Sequence, residues 1–274
     1  MTRVVCAGLA TRDTIWRVPS HPAPDGRVVA TELSTAGGGP AATAAVALAR
    51  LGIETAFVGA VGDDEAGAFV REGLAGEGID VSRLAVVGGA RTAESTILIG
   101  PAGERAIVHF PGTAPPPRID TAGEWLHLDH VGFAMERDGS ARVSLDGGNP
   151  IAPLDLSGVA LYAPTEERLV QDFGTPQAAL DAGAGVVVVT RGMAGSAATD
   201  RHGTSFDVPP HPVEAVSTLG AGDVFHGALL AYIARGAALP EALRAANAAA
   251  ALSCRALDGR SAIPTLAELE DVIS

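Results

Sequence analysis

Residues 217–230, STLGAGDVFHGALL, place an acid at the point where a glycine turn gives way to a helix. Gly220, Ala221 and Gly222 lead directly into Asp223, and apolar residues at helical spacing follow. Glycine lets backbone N–H groups come close to a ligand, and a helix N-terminus favours negative charge. The stretch therefore predicts either an ordinary helix cap or a phosphate site at which Asp223 acts as a base.

Two further glycine-rich turns, residues 37–39 and 192–195, also follow strand-like or extended segments. In a doubly wound sheet, ligands bind beyond the carboxyl ends of the strands. All three turns could therefore converge on one edge of the sheet, which favours the ligand site over the simple cap.

The elements that must position these turns alternate between strand and helix. Strand patterns cover residues 3–9, 55–62, 127–133, 142–147, 158–164 and 185–190. Helical patterns include 40–52, a segment that follows the turn DDEAG (63–67) and ends at Gly78, and 240–256. Residues 14–35 and 92–113 break this rhythm, because they read as exposed strands and a hairpin. We expect one α/β domain over residues 1–274, with a mostly parallel, doubly wound sheet flanked by helices and a small β lid formed by these two segments.

Composition excludes several classes of partner. The formal net charge is −13, so nucleic acids and anionic membranes are poor partners. The sequence contains no lysine, so any cationic contact to a ligand must come from Arg, His or the backbone. Cys6 and Cys254 have neither disulfide nor metal-ligand spacing. The first residues read as a strand and not as a signal peptide, and no apolar run is long enough to span a bilayer, so we expect a cytoplasmic protein.

Five motifs in chain order resemble the PfkB, or ribokinase, family of carbohydrate kinases. They are GGGPAATAAVALARLG, GAVGDDEAG, VVVVTRGMAG, STLGAGDVFHGALL and RAANAAAALSC. Within the family, the chain most resembles sulfofructose kinases, through GGGPAATAAVA, GAGDVFHGAL and the ending with Cys254 and Gly259 to Pro264. The resemblance implies a ribokinase-like fold, and transfer of the γ-phosphate of ATP to a sugar hydroxyl with Mg²⁺. A dinucleotide-binding dehydrogenase would need G-x-G-x-x-G after the first strand, and CAGLATRD lacks that spacing.

The resemblance also implies a role for individual residues. Asp223 is the expected catalytic base, and Gly220, Ala221 and Gly222 are expected to hold the transferring phosphate. Asp13 would accept hydrogen bonds from two sugar hydroxyls. The other expected substrate contacts are Gly38, Gly39 and Thr43, and the expected nucleotide contacts are Thr190, Gly192, Gly195 and Asn247.

Some candidates rest on position alone. Arg27, Arg105 and His109 lie in the lid segments, where one of them could meet an anionic group on the substrate. His226 follows Asp223 by one helical turn and shares its face, which fits a substrate contact or a purely structural residue equally well.

The chain departs from the family pattern at several positions. Ser217 and Thr43 replace an Asp and an Asn, which leaves activation by a monovalent cation and one substrate hydrogen bond open. The family has an N-x-x-E motif where this chain has Thr165 in place of the Asn and Arg168 in place of the Glu. Glu166 or Glu167 would then have to contact Mg²⁺ through water.

The acceptor and the assembly also stay open. A ketose leads, with sulfofructose or fructose first. The alternative acceptors are a phosphosugar, as for 6-phosphofructokinase-like members, and a nucleoside. A further alternative is a protein that binds nucleotide or sugar without catalysis. The open strand edges of the lid favour a homodimer.

Overall fold

A computed structural model describes residues 3–120, 125–138 and 141–274. The strands are β1 (Arg3–Ala7), β2 (Thr11–Arg17), β3 (Glu32–Gly38), β4 (Glu54–Gly62), β5 (Asp80–Val87), β6 (Glu94–Ile99), β7 (Arg105–Phe110), β8 (Ile119–Asp120), β9 (Trp125–Leu128), β10 (Arg137–Asp138), β11 (Arg142–Gly147), β12 (Val159–Pro164), β13 (Val186–Thr190), β14 (Ser196–Asp200) and β15 (Ser205–Val208). The helices are α1 (Pro40–Arg50), α2 (Glu65–Gly76), α3 (His130–Phe133), α4 (Glu166–Asp172), α5 (Pro176–Asp181), α6 (Ala221–Ala234), α7 (Leu239–Ser253) and α8 (Leu266–Ile273).

A nine-stranded sheet forms the central layer, in the order β15-β14-β13-β12-β11-β9-β1-β4-β5. The strands from β13 to β5 run parallel, and β14 and β15 add an antiparallel edge. Runs such as VVVVT and VALYAP suit buried parallel strands, because both faces of the sheet are covered. This arrangement confirms the predicted fold class and brings the carboxyl ends of five neighbouring strands, β13 to β1, to one edge.

Two apolar cores lie on opposite faces of the sheet. One joins α1, α2, α6, α7 and α8 to the sheet, and the other packs against α4 and α5. Small residues let α1 and α6 approach closely: a Cβ at Gly227 would lie 2.5 Å from the carbonyl oxygen of Ala44. This close packing holds the N-termini of the two helices side by side at the edge where the strands end.

The lid is a separate four-stranded sheet in the order β3-β2-β6-β7. Its register places Asp13, Ser95 and His109 in one row across β2, β6 and β7. Residues alternate between the two faces of a strand, so this row and the residues two positions along share the inner face.

One strand prediction was too long. The pattern over residues 127–133 predicts a continuous strand, but β9 ends at Leu128 and the short helix α3 follows. The reason is Asp129, whose carboxylate accepts hydrogen bonds from the N–H groups of Val131 and Gly132 and so caps the helix. Among the described residues, no helix combines the length and apolar character that a membrane crossing requires.

Candidate active site

A cavity of about 490 Å³ opens between the edge of the central sheet and the inner face of the lid. Five strand ends contribute Leu9, His130, Asp146, Thr165 and Thr190 to its lining. The lid contributes Asp13, Ser95 and Arg105, and the N-terminal regions of α1 and α6 close the cavity. The volume lies in the range of sites for small molecules.

The N-terminus of α6 forms one wall of the cavity. Gly220 is its N-cap residue and has a left-handed backbone with φ 73°, so Asp223 in the first turn is not the cap. A Cβ at Gly220 would lie 2.9 Å from the Cα of Gly259, whereas a Cβ at Gly222 would meet open space. Gly220 and Gly222 line the cavity, but the N–H of Ala221 turns back to the carbonyl of Thr218 at 3.4 Å.

Asp223 has the environment of a general base. Desolvation in the cleft raises its pKa to about 7, and the negative charges of Asp146 and Asp129 act in the same direction. The positive charges of His226 and Arg260 oppose this shift. A carboxylate with a pKa near neutrality can accept a proton from a hydroxyl and still be ionised in a useful fraction of molecules.

Asp13 lies at the lid end of the cavity and is almost fully buried. Thr11 Oγ1 donates a hydrogen bond to one carboxylate oxygen at 2.7 Å. The other oxygen lies against Gly38, where a Cβ would come within 1.9 Å of it. Gly38 is therefore required by the position of Asp13, and Gly39, with φ 90°, continues the same tight turn into α1.

Arg260 connects this glycine turn to the C-terminal part of the chain. Its Nη2 donates to the carbonyl of Gly38 at 2.6 Å, and its Nε donates to Thr43 Oγ1 at 3.2 Å. A Cβ at Gly37 would lie 2.3 Å from Nη1, so the turn packs directly on the guanidinium. Burial lowers the pKa of Arg260 to about 10, and the charges of Asp13 and Asp223 oppose the shift, so this group stays a cation.

The three lid candidates are placed differently. Arg105 lines the cavity, and its Nη1 donates to Thr218 Oγ1 at 3.0 Å, next to the α6 turn. His109 also lines the cavity, but partial burial lowers its pKa, which disfavours a charged ring at neutral pH. Arg27 is exposed in the loop between β2 and β3 and is not among the residues that line the cavity.

Of the expected nucleotide contacts, Thr190 alone lines the cavity. Gly192 and Gly195 bound a short 3-10 turn after β13, and both have positive φ. Asn247 is buried, and its amide donates to the carbonyls of Val208 and Pro209 at 3.2 and 2.9 Å. These bonds satisfy the side-chain N–H groups of Asn247 within the protein and fix the chain after β15.

The positions that depart from the family pattern also have local partners. Ser217 is buried, and its hydroxyl accepts a hydrogen bond from the N–H of Leu219 at 3.2 Å. Thr165 caps α4 through the N–H of Arg168, which leaves Glu166 and Glu167 in the first helical turn. The side chain of Glu167 accepts a hydrogen bond from Gln171 at 3.0 Å, whereas Glu166 acts electrostatically on Arg191.

Sequence reasoning missed three charged residues of the site. Asp146 is the last residue but one of β11 and is followed by Gly147 and Gly148, so it is, like Asp223, an acid beside glycines. Asp129 is fully buried and accepts the N–H groups of Leu9 and Ala41, which ties β9 to the start of α1. Arg260 lies in the C-terminal segment that carries the family resemblance, but the pattern did not place it in the site, because its partners lie more than 200 residues away in the chain.

Comparison with known proteins supplies the identity of this arrangement. The family model described as "pfkB family carbohydrate kinase" matches residues 1–119 and 158–266. The chain is 30% identical to the ATP-dependent ribose-1-phosphate kinase of Halopiger xanaduensis, over 96% of this chain and 95% of that one. It is 31% identical to the fructokinase of Klebsiella pneumoniae, over 85% and 90% of the two chains.

A solved structure confirms the fold independently. The ribokinase of Arabidopsis thaliana, determined with ribose and ATP, superposes with a TM-score of 0.82 at 22% identity and covers 100% of this chain and 99% of its own. The matched regions include the glycine turn before α1, the lid strands and the α6 turn with Asp223. The chain therefore belongs to the PfkB family of carbohydrate kinases, and it is a phosphotransferase with an alcohol group as acceptor.

Proposed function

We propose that the protein transfers the γ-phosphate of ATP to a hydroxyl of a ketose-type sugar, with sulfofructose and fructose as the leading acceptors. The observation that carries this proposal is the placement of Asp13 and Asp223 in one cavity, each beside a glycine turn. Release of ADP from Mg-ATP in the presence of defined sugars tests it.

The chemistry needs a base, a site for the phosphate charge and a positioned hydroxyl. Asp223 accepts the proton of the acceptor hydroxyl, whose oxygen forms the new bond to the γ-phosphorus. The bond from that phosphorus to the oxygen shared with the β-phosphate breaks, and ADP leaves. The N-terminus of α6, opened by Gly222, stabilises the negative charge on the transferring group.

Asp13 positions the acceptor from the lid side of the cavity. Thr11 already donates to one of its oxygens, which leaves carboxylate lone pairs for sugar hydroxyls. The turn at Gly38 and Gly39 lies beside it without side chains, so a flat sugar ring can approach the backbone.

The donor set fits Mg²⁺ bound mainly through phosphates and water. The described residues contain no cluster of three or more His, Cys, Asp or Glu side chains that could hold a metal ion. Mg²⁺ commonly keeps several waters and uses one or two carboxylates with substrate phosphates. Glu166, next to the cavity residue Thr165, would contact such waters, and the ion would neutralise phosphate charge during transfer.

An anionic acceptor is favoured by Arg105, which adds a cation to the lid side of the cavity. This supports sulfofructose over fructose, and it keeps a phosphosugar as the second candidate, since the Halopiger relative is named for a phosphorylated sugar. A nucleoside is less well supported, because the cavity lining in the described part of the chain contains no Phe, Tyr or Trp to stack on a base.

Arg105→Ala is expected to raise KM for an anionic acceptor by about tenfold to a hundredfold, the effect of one lost charged hydrogen bond. Arg27→Ala is the matched control, because it removes the same charge from the lid at an exposed position that does not line the cavity. Steady-state kinetics of both variants with sulfofructose and fructose make the comparison. A rise in KM for ATP alone would assign Arg105 to the phosphate end, near Thr218, and equal effects in both variants would refute a specific contact.

We also propose that two copies pair through the outer face of the lid. Leu33, Trp16 and Leu98 form one row across β3, β2 and β6, and Val108 and Phe110 extend the apolar face on β7. Leu33 and Val108 are 56% and 74% exposed, which is unfavourable for apolar side chains in an isolated chain. The interface would be isologous, with the same face of each copy in contact, as in most homodimers.

Light scattering coupled to gel filtration is expected to give twice the mass of one chain. Val108→Glu should convert the dimer to monomers, because it places a charge in the apolar face. Val170→Glu is the control, since Val170 is 59% exposed on α4, away from the lid. A wild-type monomer at micromolar concentration would contradict the proposal.

A further inference from the structure

A buried ion pair shares the cavity wall with Asp223. His226 Nδ1 lies 3.0 Å from Asp146 Oδ2, and the two side chains are 5% and 4% exposed. His226 follows Asp223 by one turn of α6, and Asp146 is the last residue but one of β11. Both residues line the cavity together with Asp223. The pair therefore joins the helix that carries the base to the central sheet.

The surroundings of His226 favour a charged ring. Burial disfavours the charged ring, but the carboxylate of Asp146, 3.0 Å away, favours it, and the charge of Asp223 acts in the same direction as Asp146. These effects outweigh burial and raise the pKa of His226. An imidazolium has two N–H donors, whereas a neutral ring has one.

The second histidine of the cluster behaves oppositely. His127, on β9, lies with its ring centroid 6.1 Å from that of His226, and its Nδ1 lies 3.2 Å from Ser144 Oγ. Burial, and then the charge of His226, lower the pKa of His127 to about 4. His127 is therefore neutral near neutral pH, and His226 carries the positive charge of the cluster.

We infer that the His226–Asp146 pair is a positioning element for the base: the imidazolium neutralises the buried carboxylate of Asp146 and thereby keeps Asp223 ionised and ready to accept a proton. Without that positive charge, Asp146 would repel the ionised form of Asp223 across the cavity. The groups that act on Asp223 from other elements are Asp129, beyond β9, and Arg260, and both remain in place when His226 is changed. The inference rests on the proposed role of Asp223 as the base.

The first test measures the ionisation of Asp223 itself and needs no substrate. Carboxyl ¹³C NMR of the intact protein, with the Asp223 signal assigned through Asp223→Asn, gives its titration midpoint. His226→Gln is expected to raise the midpoint by at least one pH unit, because the loss of a nearby positive charge favours the protonated form. The double variant Asp146→Asn with His226→Gln should return the midpoint close to the wild-type value, because both opposing charges are removed. A midpoint that His226→Gln leaves unchanged would overturn the inference.

A pH profile of kcat/KM distinguishes a positioning role from a merely structural one. Protonated Asp223 cannot act as a base, so a midpoint raised by one unit lowers activity about tenfold on the acid side and leaves the alkaline plateau much less affected. His127→Gln is the matched control, because it removes a neutral histidine from the same cluster. Equal losses at every pH in His226→Gln would show that the pair only supports the fold.

Two outcomes separate this inference from the proposed function. If Asp223→Asn keeps its activity, the base assignment fails, whatever the titration shows. If His226→Gln does not fold, ¹⁵N NMR of the histidines in the wild-type protein tests the inference instead. The inference requires that His226 is charged and His127 neutral at pH 7. A neutral His226 at pH 7 would overturn the inference.

Discussion

Asp223→Asn is expected to lower kcat by about a thousandfold while the protein stays folded and binds ATP. General-base catalysis typically contributes a factor of about 10² to 10⁴, and asparagine keeps the size of the side chain but accepts no proton. The α6 turn is unchanged by this substitution, because its N-cap is Gly220 and the Asp223 side chain does not cap the helix. Steady-state ADP release, with ATP binding measured by calorimetry, checks both parts of the prediction.

The ionisation of Asp223 should also appear in the pH dependence of the wild-type activity. Desolvation and the charge of Asp146 raise the pKa of Asp223 to about 7, and the active form is the ionised one. Activity is therefore fully present above this pH and falls about tenfold per unit below it. In Asp223→Asn, kcat should be low at every pH, and the fall in activity below pH 7 should disappear.

A matched control exists in Asp64, which also stands at the start of a helix. Its carboxylate accepts hydrogen bonds from the N–H groups of Gly67 and Thr92, and it caps α2 outside the cavity. Asp64→Asn should reduce stability with little change in kcat. An Asp223→Asn protein that turns over at the wild-type rate, or an Asp64→Asn protein that loses activity equally, would contradict the assignment of the base.

Arg260→Met is expected to have the second large effect, on both stability and acceptor binding. It removes charged hydrogen bonds to the Gly38 carbonyl and to Thr43, each of which contributes about 1.5–3 kcal/mol, and it leaves partly buried acceptors unpaired. The free energy of unfolding should fall by about 3 kcal/mol. It also removes the positive charge that opposes the rise in the pKa of Asp13.

The effect on activity follows from the glycine turn. Gly37 packs on the guanidinium and Gly38 packs on Asp13, so loss of the side chain lets this turn shift. A misplacement of about 1 Å in a positioning group can lower the rate about a hundredfold. We expect kcat/KM for the sugar to fall by about that factor, with a smaller change in KM for ATP.

Arg235→Met separates the two effects of Arg260→Met. Arg235 also donates from Nη2 to a backbone carbonyl, but its acceptor residue, Leu51, does not line the active-site cavity, whereas Gly38 and Thr43, the acceptor residues of Arg260, do. Arg235→Met should lower the melting temperature, or the urea concentration at the midpoint of unfolding, without changing KM for the sugar. If Arg260→Met and Arg235→Met affect the kinetics equally, Arg260 is a structural residue alone.

The parts of the site that sequence could predict are local patterns. The α6 turn with Asp223 and the turn at Gly38 and Gly39 each lie within a few residues, at the border of a strand or loop with a helix. Backbone preferences and helix-end chemistry act over this distance, so the motif and its geometry coincide. The role of Asp13 followed only from the resemblance to the family, because the predicted lid segment began at residue 14, whereas β2 of the lid begins at Thr11 and includes Asp13.

The parts that sequence could not predict depend on contacts between distant segments. Arg260 and Thr43 are 217 residues apart in the chain, and only the packing of α1 beside the C-terminal loop brings them together. The pairing of His226 with Asp146 likewise requires α6 to lie over the end of β11. The pattern over residues 127–133 predicted strand because it counts apolar residues, and the cap formed by Asp129 overrides that periodicity.

The most direct test of the central claim is a coupled assay of ADP release with Mg-ATP and ribose, fructose, fructose 6-phosphate, tagatose 6-phosphate, sulfofructose and adenosine. We expect a single strong acceptor among the ketoses, sulfofructose or fructose, with turnover lost in Asp223→Asn. Strong turnover of adenosine alone would contradict the assignment of a ketose kinase. The proposed ketose-kinase activity itself would be contradicted if the protein binds ATP but releases no ADP with any of the six acceptors, and if its Asp223→Asn variant behaves identically.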